Sequence, residues 1–231
     1  MSLPPFRDRH DAGRRLADAL ARHAPLHAPV ILALPRGGVP VGWEVARALR
    51  APLDVMVVRK LGVPGHEELA MGAVASGALC ILHVELLAPL GISHEDVVRI
   101  VRKERLEVGR RERAYRGERP PLDVTGCTVV LVDDGLATGS SMRAAIQSVR
   151  KQAPARIVLA VPVAAPETCR DLSAEVDEVV CAATPQPFYA VGLWYEDFSQ
   201  TTDREVSELL AAATREQEQR QSAPMAGARA S

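Results

Sequence analysis

Short apolar runs alternate with longer stretches of mixed polarity, and each run has the length of a buried strand. The runs are VILAL at 30–34, LDVMVVR at 53–59, VVLV at 129–132, ARIVLAVPV at 155–163 and VDEVVCA at 176–182. A continuously apolar run of this kind is typical of a parallel strand that is covered on both faces. The pattern therefore predicts about five core strands.

Between these runs, apolar residues recur at the spacing of one helix face. The predicted helices are Arg7–Arg22, Val41–Leu49, Ser93–Arg119, Met142–Lys151, Pro166–Leu172 and Asp203–Thr214. Strands that alternate with helices indicate an α/β domain with a mainly parallel sheet flanked by helices. The interval 61–69 is rich in glycine and proline, so we expect a mobile lid there, followed by a hairpin at 70–82.

The stretch VVLVDDGLATGSS, residues 129–141, carries the most chemistry in the chain. Asp133 and Asp134 follow the apolar strand directly, at the carboxyl end where open α/β sheets bind ligands. The two carboxylates can accept hydrogen bonds from a diol. The next turn supplies small side chains, hydroxyls and free backbone N–H groups that suit a phosphate, namely Ala137, Thr138, Gly139, Ser140 and Ser141. An Asp pair that merely caps the following helix would explain one carboxylate but not the rest.

This string closely resembles the phosphoribosyl pyrophosphate (PRPP) signature of the type I phosphoribosyltransferases, although Gly135 stands where many members carry a bulkier aliphatic residue. The resemblance implies a type I phosphoribosyltransferase fold with a small hood. It also implies transfer of the 5-phosphoribosyl group of PRPP to a nitrogenous base or similar acceptor, with release of pyrophosphate. Asp133 and Asp134 would then be the catalytic, ribose-binding residues, and residues 137–141 would bind the 5-phosphate. Mg²⁺ would arrive through PRPP, without a direct protein ligand.

The first strand runs into Pro35-Arg36-Gly37-Gly38, where N–H groups and a guanidinium suit pyrophosphate oxygens. The resemblance implies that this turn binds pyrophosphate, with a non-proline cis peptide at Arg36–Gly37. Lys60 follows the second strand and is expected to offset negative charge on the leaving group. Pyrophosphate is therefore assigned to Arg36, Gly37 and Lys60. By itself, the glycine pair would indicate only a plain turn.

Most aromatic residues of the chain lie in residues 185–198, which loosely resemble the hood segment of hypoxanthine-guanine phosphoribosyltransferases. Phe188 and Trp194 are candidates for stacking on the acceptor. The spacing before Gly192 differs by one residue and no lysine precedes Phe188, so base specificity does not carry over. Rings that simply pack the hood onto the core are an equally good interpretation.

The predicted helix at 93–119 is rich in arginine, which leaves a second class of function open. A non-catalytic regulator could sense PRPP or a nucleotide and contact nucleic acid through this helix. Glutamates are interleaved at helical pairing distances, however, so we favour a solvated or subunit-contacting helix. A response-regulator receiver also places paired Asp residues at a strand end, but its pair lies near the start of the domain.

Composition narrows the remaining classes. The 231 residues carry a formal net charge of −1, which is ordinary for a globular α/β protein. The four cysteines form no CxxC pair, which argues against a zinc site or a disulfide framework. No apolar run has the length of a membrane span and no signal core is recognised, so we expect a cytoplasmic protein without membrane partners. We expect one domain over 1–213, a disordered tail at 214–231, and a homodimer as the candidate assembly.

Overall fold

A parallel sheet of five strands occupies the centre of the described chain, which in this computed structural model comprises residues 5–23, 25–77 and 79–222. The strands are β1 (Pro29–Ala33), β2 (Leu53–Val55), β3 (Val58–Val63), β4 (His66–Ala75), β5 (Leu79–Leu82), β6 (Thr128–Val132), β7 (Arg156–Val163) and β8 (Glu178–Ala183). The helices are α1 (Arg9–Ala21), α2 (Gly38–Leu49), α3 (Val84–Leu87), α4 (His94–Arg116), α5 (Ser140–Arg150), α6 (Pro166–Ser173) and α7 (Asp203–Ser222). The predicted α/β class and the five-stranded parallel sheet are confirmed.

The strands of the parallel sheet are ordered β2-β1-β6-β7-β8. The sheet thus grows in one direction from β1 to β2 and in the other from β6 to β8. Strand β6 lies in the middle, and Val129, Val130, Leu131 and Val132 are fully buried. This explains why the sequence shows an unbroken apolar run there, since both faces of the strand are covered.

A second sheet, ordered β3-β4-β5, is antiparallel; it corrects the single strand predicted at 53–59 and the irregular backbone expected at 61–69. The predicted strand at 53–59 divides into β2 and β3, so Lys60 lies within β3, opposite Ala73, and not at the end of a core strand. The predicted lid at 61–69 belongs largely to the β3–β4 hairpin, whose turn is Pro64–Gly65. Leu61 and Val63 are buried in the core and anchor this segment.

Helix α7 is longer than the sequence predicted. It continues to Ser222, so the expectation of disorder from 214 onward is wrong for 214–222, while 223–231 lie outside the described residues. The extension contacts α2, because Nε of Arg47 lies 3.5 Å from Oε1 of Glu216. Within the described residues, no helix combines the length and apolar character needed to cross a membrane.

Candidate functional site

The candidate site lies between β1 and β6, where the order in which strands are added to the parallel sheet reverses. Ala33 is aligned with Val132 in the parallel register, and the N–H of Leu34 donates to the carbonyl of Val132 at 2.8 Å. The chain segments that follow both strands therefore leave the sheet side by side. Open α/β sheets bind ligands in the crevice at such a switch point. The predicted carboxylates and the predicted pyrophosphate turn are brought together there.

Gly37 and Asp134 make the closest approach at this edge. A β-carbon added at Gly37 would lie 1.9 Å from Oδ2 of Asp134 and 2.7 Å from its Cγ. Position 37 therefore has to be glycine for the carboxylate to keep its place. The cis peptide of this turn joins Pro35 to Arg36, one bond earlier than the predicted Arg36–Gly37. Gly37 has helical torsions and caps α2.

Arg9 of α1 reaches the same carboxylate, a contact that no sequence pattern indicates. Its Nε lies 2.8 Å from Oδ2 of Asp134, and the two side chains are only 11% and 16% exposed. Its Nη1 donates to the carbonyl of Ser199 at 2.7 Å. The guanidinium carbon also lies 4.0 Å from the centre of the Phe198 ring. A basic residue near the N-terminus was the only sequence signal, and it gives no partner.

The carboxylates of Asp133 and Asp134 lie next to each other and are largely shielded from solvent. The N–H of Asp134 donates to Oδ1 of Asp133 at 2.8 Å, and the Tyr195 hydroxyl donates to the carbonyl of Asp134 at 2.5 Å. Burial raises the pKa of Asp133 well above its usual range, and the charge of Asp134 adds to this effect. Burial also raises the pKa of Asp134, while Arg9 opposes that rise. Strongly shifted carboxylates in a cleft are typical of functional sites.

The predicted phosphate loop leads into α5 as expected. The first N–H groups of a helix have no intrahelical partner. Gly139, with φ of 70°, precedes α5 and has no side chain that could accept from them. The side chains of Thr138 and Ser140 are exposed, and their hydroxyl oxygens lie 3.1 Å apart. Thr168 of α6 supports the loop by donating to the carbonyl of Ala137. The loop can thus present both N–H groups and hydroxyls to an anion.

Lys60 lies beside the phosphate loop, away from the pyrophosphate turn. It lines one cavity of about 250 Å³ with Ser140, and another of about 660 Å³ with Ser141. Arg36 instead faces α7, where its Nη1 lies 3.7 Å from Oδ1 of Asp203. No described contact or described cavity joins Arg36 to Lys60. Gly37 therefore lies at the carboxylates and Lys60 lies at the phosphate loop. The described contacts do not bring together the three residues that were predicted to bind pyrophosphate.

The hood packs against the N-terminal segment. Phe188 and Trp194 are half-buried against a cluster that contains Phe6 and Tyr195, whereas Tyr189 is 79% exposed. The short 3-10 turn Val191–Trp194 sits over Gly135, since a β-carbon there would lie 2.5 Å from Cγ1 of Val191. The residue that departs from the family pattern is thus the point where the hood closes onto the site.

The described residues contain no group of three or more His, Cys, Asp or Glu side chains that could hold a metal ion. Mg²⁺ that is already coordinated by the phosphate oxygens of a substrate does not need such a group, because it dehydrates reluctantly and keeps several of its waters. The residues at the end of β6 are therefore compatible with a metal that enters with a polyphosphate and has no direct protein ligand.

Comparisons with known proteins agree with this architecture. A family model described as "Phosphoribosyl transferase domain" matches residues 7–191. Two proteins of Mycobacterium tuberculosis, "Putative phosphoribosyl transferase MT0597" (strain CDC 1551) and "Putative phosphoribosyl transferase Rv0571c" (strain H37Rv), are each 44% identical over 211 residues. The match covers 91% of this chain and 47% of theirs, so the chain spans about half the length of these curated relatives.

The crystal structure of TT1426 from Thermus thermophilus is 46% identical, with a TM-score of 0.78. The match covers 90% of this chain and 98% of that chain. The family match extends over α1, the β1 turn, the acid pair, the phosphate loop and the start of the hood. The chain belongs to the phosphoribosyl transferase domain family, and its parallel five-stranded sheet has the type I fold.

Proposed function

We propose that the protein transfers the 5-phosphoribosyl group of PRPP to a nitrogenous base or similar nitrogen acceptor. The observation that carries this proposal is the arrangement at the end of β6. Two adjacent carboxylates are followed, within one turn, by an uncapped helix start with exposed hydroxyls. A ribose 5-phosphate carries vicinal hydroxyls and a dianion, and it matches both halves of this arrangement.

In the proposed complex, Asp133 and Asp134 accept hydrogen bonds from the ribose hydroxyls. Their contacts to the protein use Oδ1 of Asp133 and Oδ2 of Asp134, so the pair keeps two further oxygens for a ligand. The loop at 137–141 holds the 5-phosphate through its N–H groups and hydroxyls. These two anchors would fix the ribose at both ends, which orients its anomeric carbon for substitution.

The reaction replaces one bond at the anomeric carbon with another. The bond from this carbon to a pyrophosphate oxygen breaks, a bond to the acceptor nitrogen forms, and the acceptor loses a proton to solvent. Pyrophosphate leaves with the electron pair of the broken bond. Positive charge develops on the ribose in between, and the carboxylates at the end of β6 can stabilise it. Mg²⁺ bound to PRPP supplies neutralisation of the leaving group.

The other predicted residues remain part of the proposal. Arg36 and Gly37 offer a guanidinium and a backbone N–H to pyrophosphate, and Lys60 adds positive charge from the hairpin above α5. Phe188 and Trp194 are the candidate stacking rings for a planar acceptor, and they belong to the hood segment that closes over Gly135. We propose further that the active assembly is a homodimer in the cytoplasm.

The deciding experiment is a screen of nitrogenous bases for pyrophosphate release from PRPP with Mg²⁺. Turnover with any base supports the proposal. Titration calorimetry of PRPP binding to variants then tests whether Asp133 and Asp134 bind the ribose. Asp133→Asn with Asp134→Asn keeps the shape but removes the charge, so PRPP affinity should fall while circular dichroism stays native. Unchanged PRPP affinity in this double variant would contradict the assignment of the acid pair.

A sensing regulator without turnover is the alternative outcome of the same screen. It would bind PRPP without releasing pyrophosphate, and it would contact nucleic acid through α4 with strong salt dependence. Many charges on α4 are already paired: Glu107 with Arg110 and Arg111 at 2.7 Å, and Arg116 with Asp54 at 2.7 Å. This pairing favours the transferase.

A further inference from the structure

We propose that Arg9 is a positioning residue of the ribose site, which fixes the carboxylate of Asp134 and ties it to the hood. The inference rests on the proposed function and adds a residue from α1 to it. From the sequence, Arg9 could reach an anionic ligand or be an ordinary surface arginine of α1, and no pattern pairs it with the acid pair. The structure places it 2.8 Å from Asp134, across 125 residues of chain.

Three separate contacts fix the guanidinium of Arg9. Its Nε donates to Oδ2 of Asp134, its Nη1 donates to the carbonyl of Ser199, and its plane lies against the ring of Phe198. With 11% of the side chain exposed, few alternative conformations are open to it. Surface arginines lack this combination of an ion pair, a backbone acceptor and an aromatic face.

The ion pair opposes protonation of Asp134. The groups facing Asp134 are Asp133 directly after β6, Tyr195 in the hood and Arg9 on α1, while Asp197 acts on Arg9 from the hood. Of these groups, Arg9 supplies the positive charge. Burial raises the pKa of Asp134 and Arg9 counteracts this, so without Arg9 the carboxylate would bind a proton more readily. A protonated carboxyl loses acceptor strength toward ribose hydroxyls.

The same residue connects the hood with the acid pair. The N-terminal segment is hydrogen-bonded to the hood through Phe6 with Trp194 and Glu196, and through the carbonyl of Arg7 with the N–H of Asp197. Arg9 adds two further hydrogen bonds: its Nη1 donates to the carbonyl of Ser199, and its Nε donates to Asp134. The position of the hood, and with it the acceptor space, is therefore coupled to the ribose site.

The test compares Arg9→Gln and Arg9→Lys with the wild type, and uses Arg7→Gln as the matched control. Arg7 lies two residues away; its side chain is 66% exposed and forms a 3.5 Å ion pair with Asp11, and the substitution leaves its backbone hydrogen bond to Asp197 in place. Calorimetric Kd values for Mg²⁺-PRPP are measured from pH 5 to pH 8, together with KM and kcat for an active base. Circular dichroism and thermal melting verify that each variant is folded.

We expect Arg9→Gln to raise the Kd and KM for PRPP about tenfold at pH 7, as for loss of a charge-assisted hydrogen bond, with kcat less affected. As the pH is lowered, PRPP binding by Arg9→Gln should begin to weaken at a higher pH than in the wild type, because Asp134 is protonated more easily without Arg9. Arg9→Lys keeps the charge and should recover part of the affinity. A purely structural role would lower stability without moving the pH dependence.

Two results separate the positioning role from the proposed function. If the wild type binds PRPP and Arg9→Gln binds it with unchanged Kd and pH dependence, the positioning role is wrong and the proposed function stands. If the wild type does not bind PRPP, both are wrong. Should Arg9→Gln fail to fold, Arg9→Lys decides alone: a Kd for PRPP between those of the wild type and an Asp134→Ala variant supports the positioning role, and a Kd equal to either of them contradicts it.

Discussion

Replacing Gly37 by alanine tests whether the β1 turn and the acid pair form one packed unit. The new β-carbon would lie 1.9 Å from Oδ2 of Asp134, whereas ordinary contacts begin near 3.4 Å. The carboxylate must therefore retreat by roughly 1.5 Å, given the ordinary contact distances of a close-packed interior. A shift of that size breaks the 2.8 Å contact between Asp134 and Arg9.

The cost follows from the burial of this ion pair. Breaking a fully buried pair costs about 3–5 kcal/mol, but both side chains keep some exposure, so we expect a loss of about 2 kcal/mol. In a domain of this size, that loss lowers Tm by roughly 4–8 °C. PRPP affinity should fall as well, since the displaced carboxylate no longer meets the ribose hydroxyls.

Gly109 offers the matched control, because it lies inside α4 and an added β-carbon would meet only Nη1 of Arg113, at 3.5 Å. Gly109→Ala should stabilise the protein by about 0.5–1 kcal/mol through helix propensity. Thermal melts of both variants, and of Gly37→Ala combined with Arg9→Gln, form the assay. The reasoning is refuted if Gly37→Ala melts like the wild type, or if its effect adds fully to that of Arg9→Gln.

Two further predictions concern the rest of the fold. Tyr115 donates to Asp203 at 2.9 Å, and burial, followed by Asp203, raises the pKa of Tyr115 to about 12. Because the folded pKa exceeds the usual value near 10, this contribution is complete below about pH 10 and is lost toward about pH 12. Wild-type stability should therefore fall relative to Tyr115→Phe in that window by chemical denaturation, and a constant difference contradicts the argument. In hydrogen exchange, Leu61 and Val63 should be slow and Gly65 fast without ligand; fast exchange at both buried residues would restore the lid hypothesis.

The sequence predicted the parts of the molecule that local chemistry determines. Strand β6 is buried on both faces, so its apolar run carries the signal of a central strand. The acid pair and the hydroxyl loop follow it within nine residues and need no distant partner to be recognised. The Gly37 turn differs, because its approach to the acid pair depends on the pairing of β1 with β6.

Contacts between distant segments were beyond the sequence. Arg9 and Asp134 are 125 residues apart, and an arginine on a helix start has the same pattern whether it pairs with solvent or with a buried carboxylate. The glycines and proline at 61–69 suggested irregular structure, whereas the segment forms most of the β3–β4 hairpin; its closure as a lid stays a prediction. Leu61 and Val63 are both buried in the core, while Gly62 between them is less buried. Packing of these two side chains therefore outweighs the tendency of the neighbouring glycines and proline toward irregular structure.

Gly135 shows how a departure from the family pattern becomes a structural feature. Its missing side chain leaves room for Val191, whose Cγ1 would lie 2.5 Å from an added β-carbon. The hood is thereby held directly above the acid pair, where the Tyr195 hydroxyl reaches the carbonyl of Asp134. A bulkier residue at 135 would push this segment outward and separate Tyr195 from Asp134. Gly135 thus permits the close approach of the hood to the acid pair, and Ser199 and Phe198 contact Arg9 where it meets the carboxylate of Asp134.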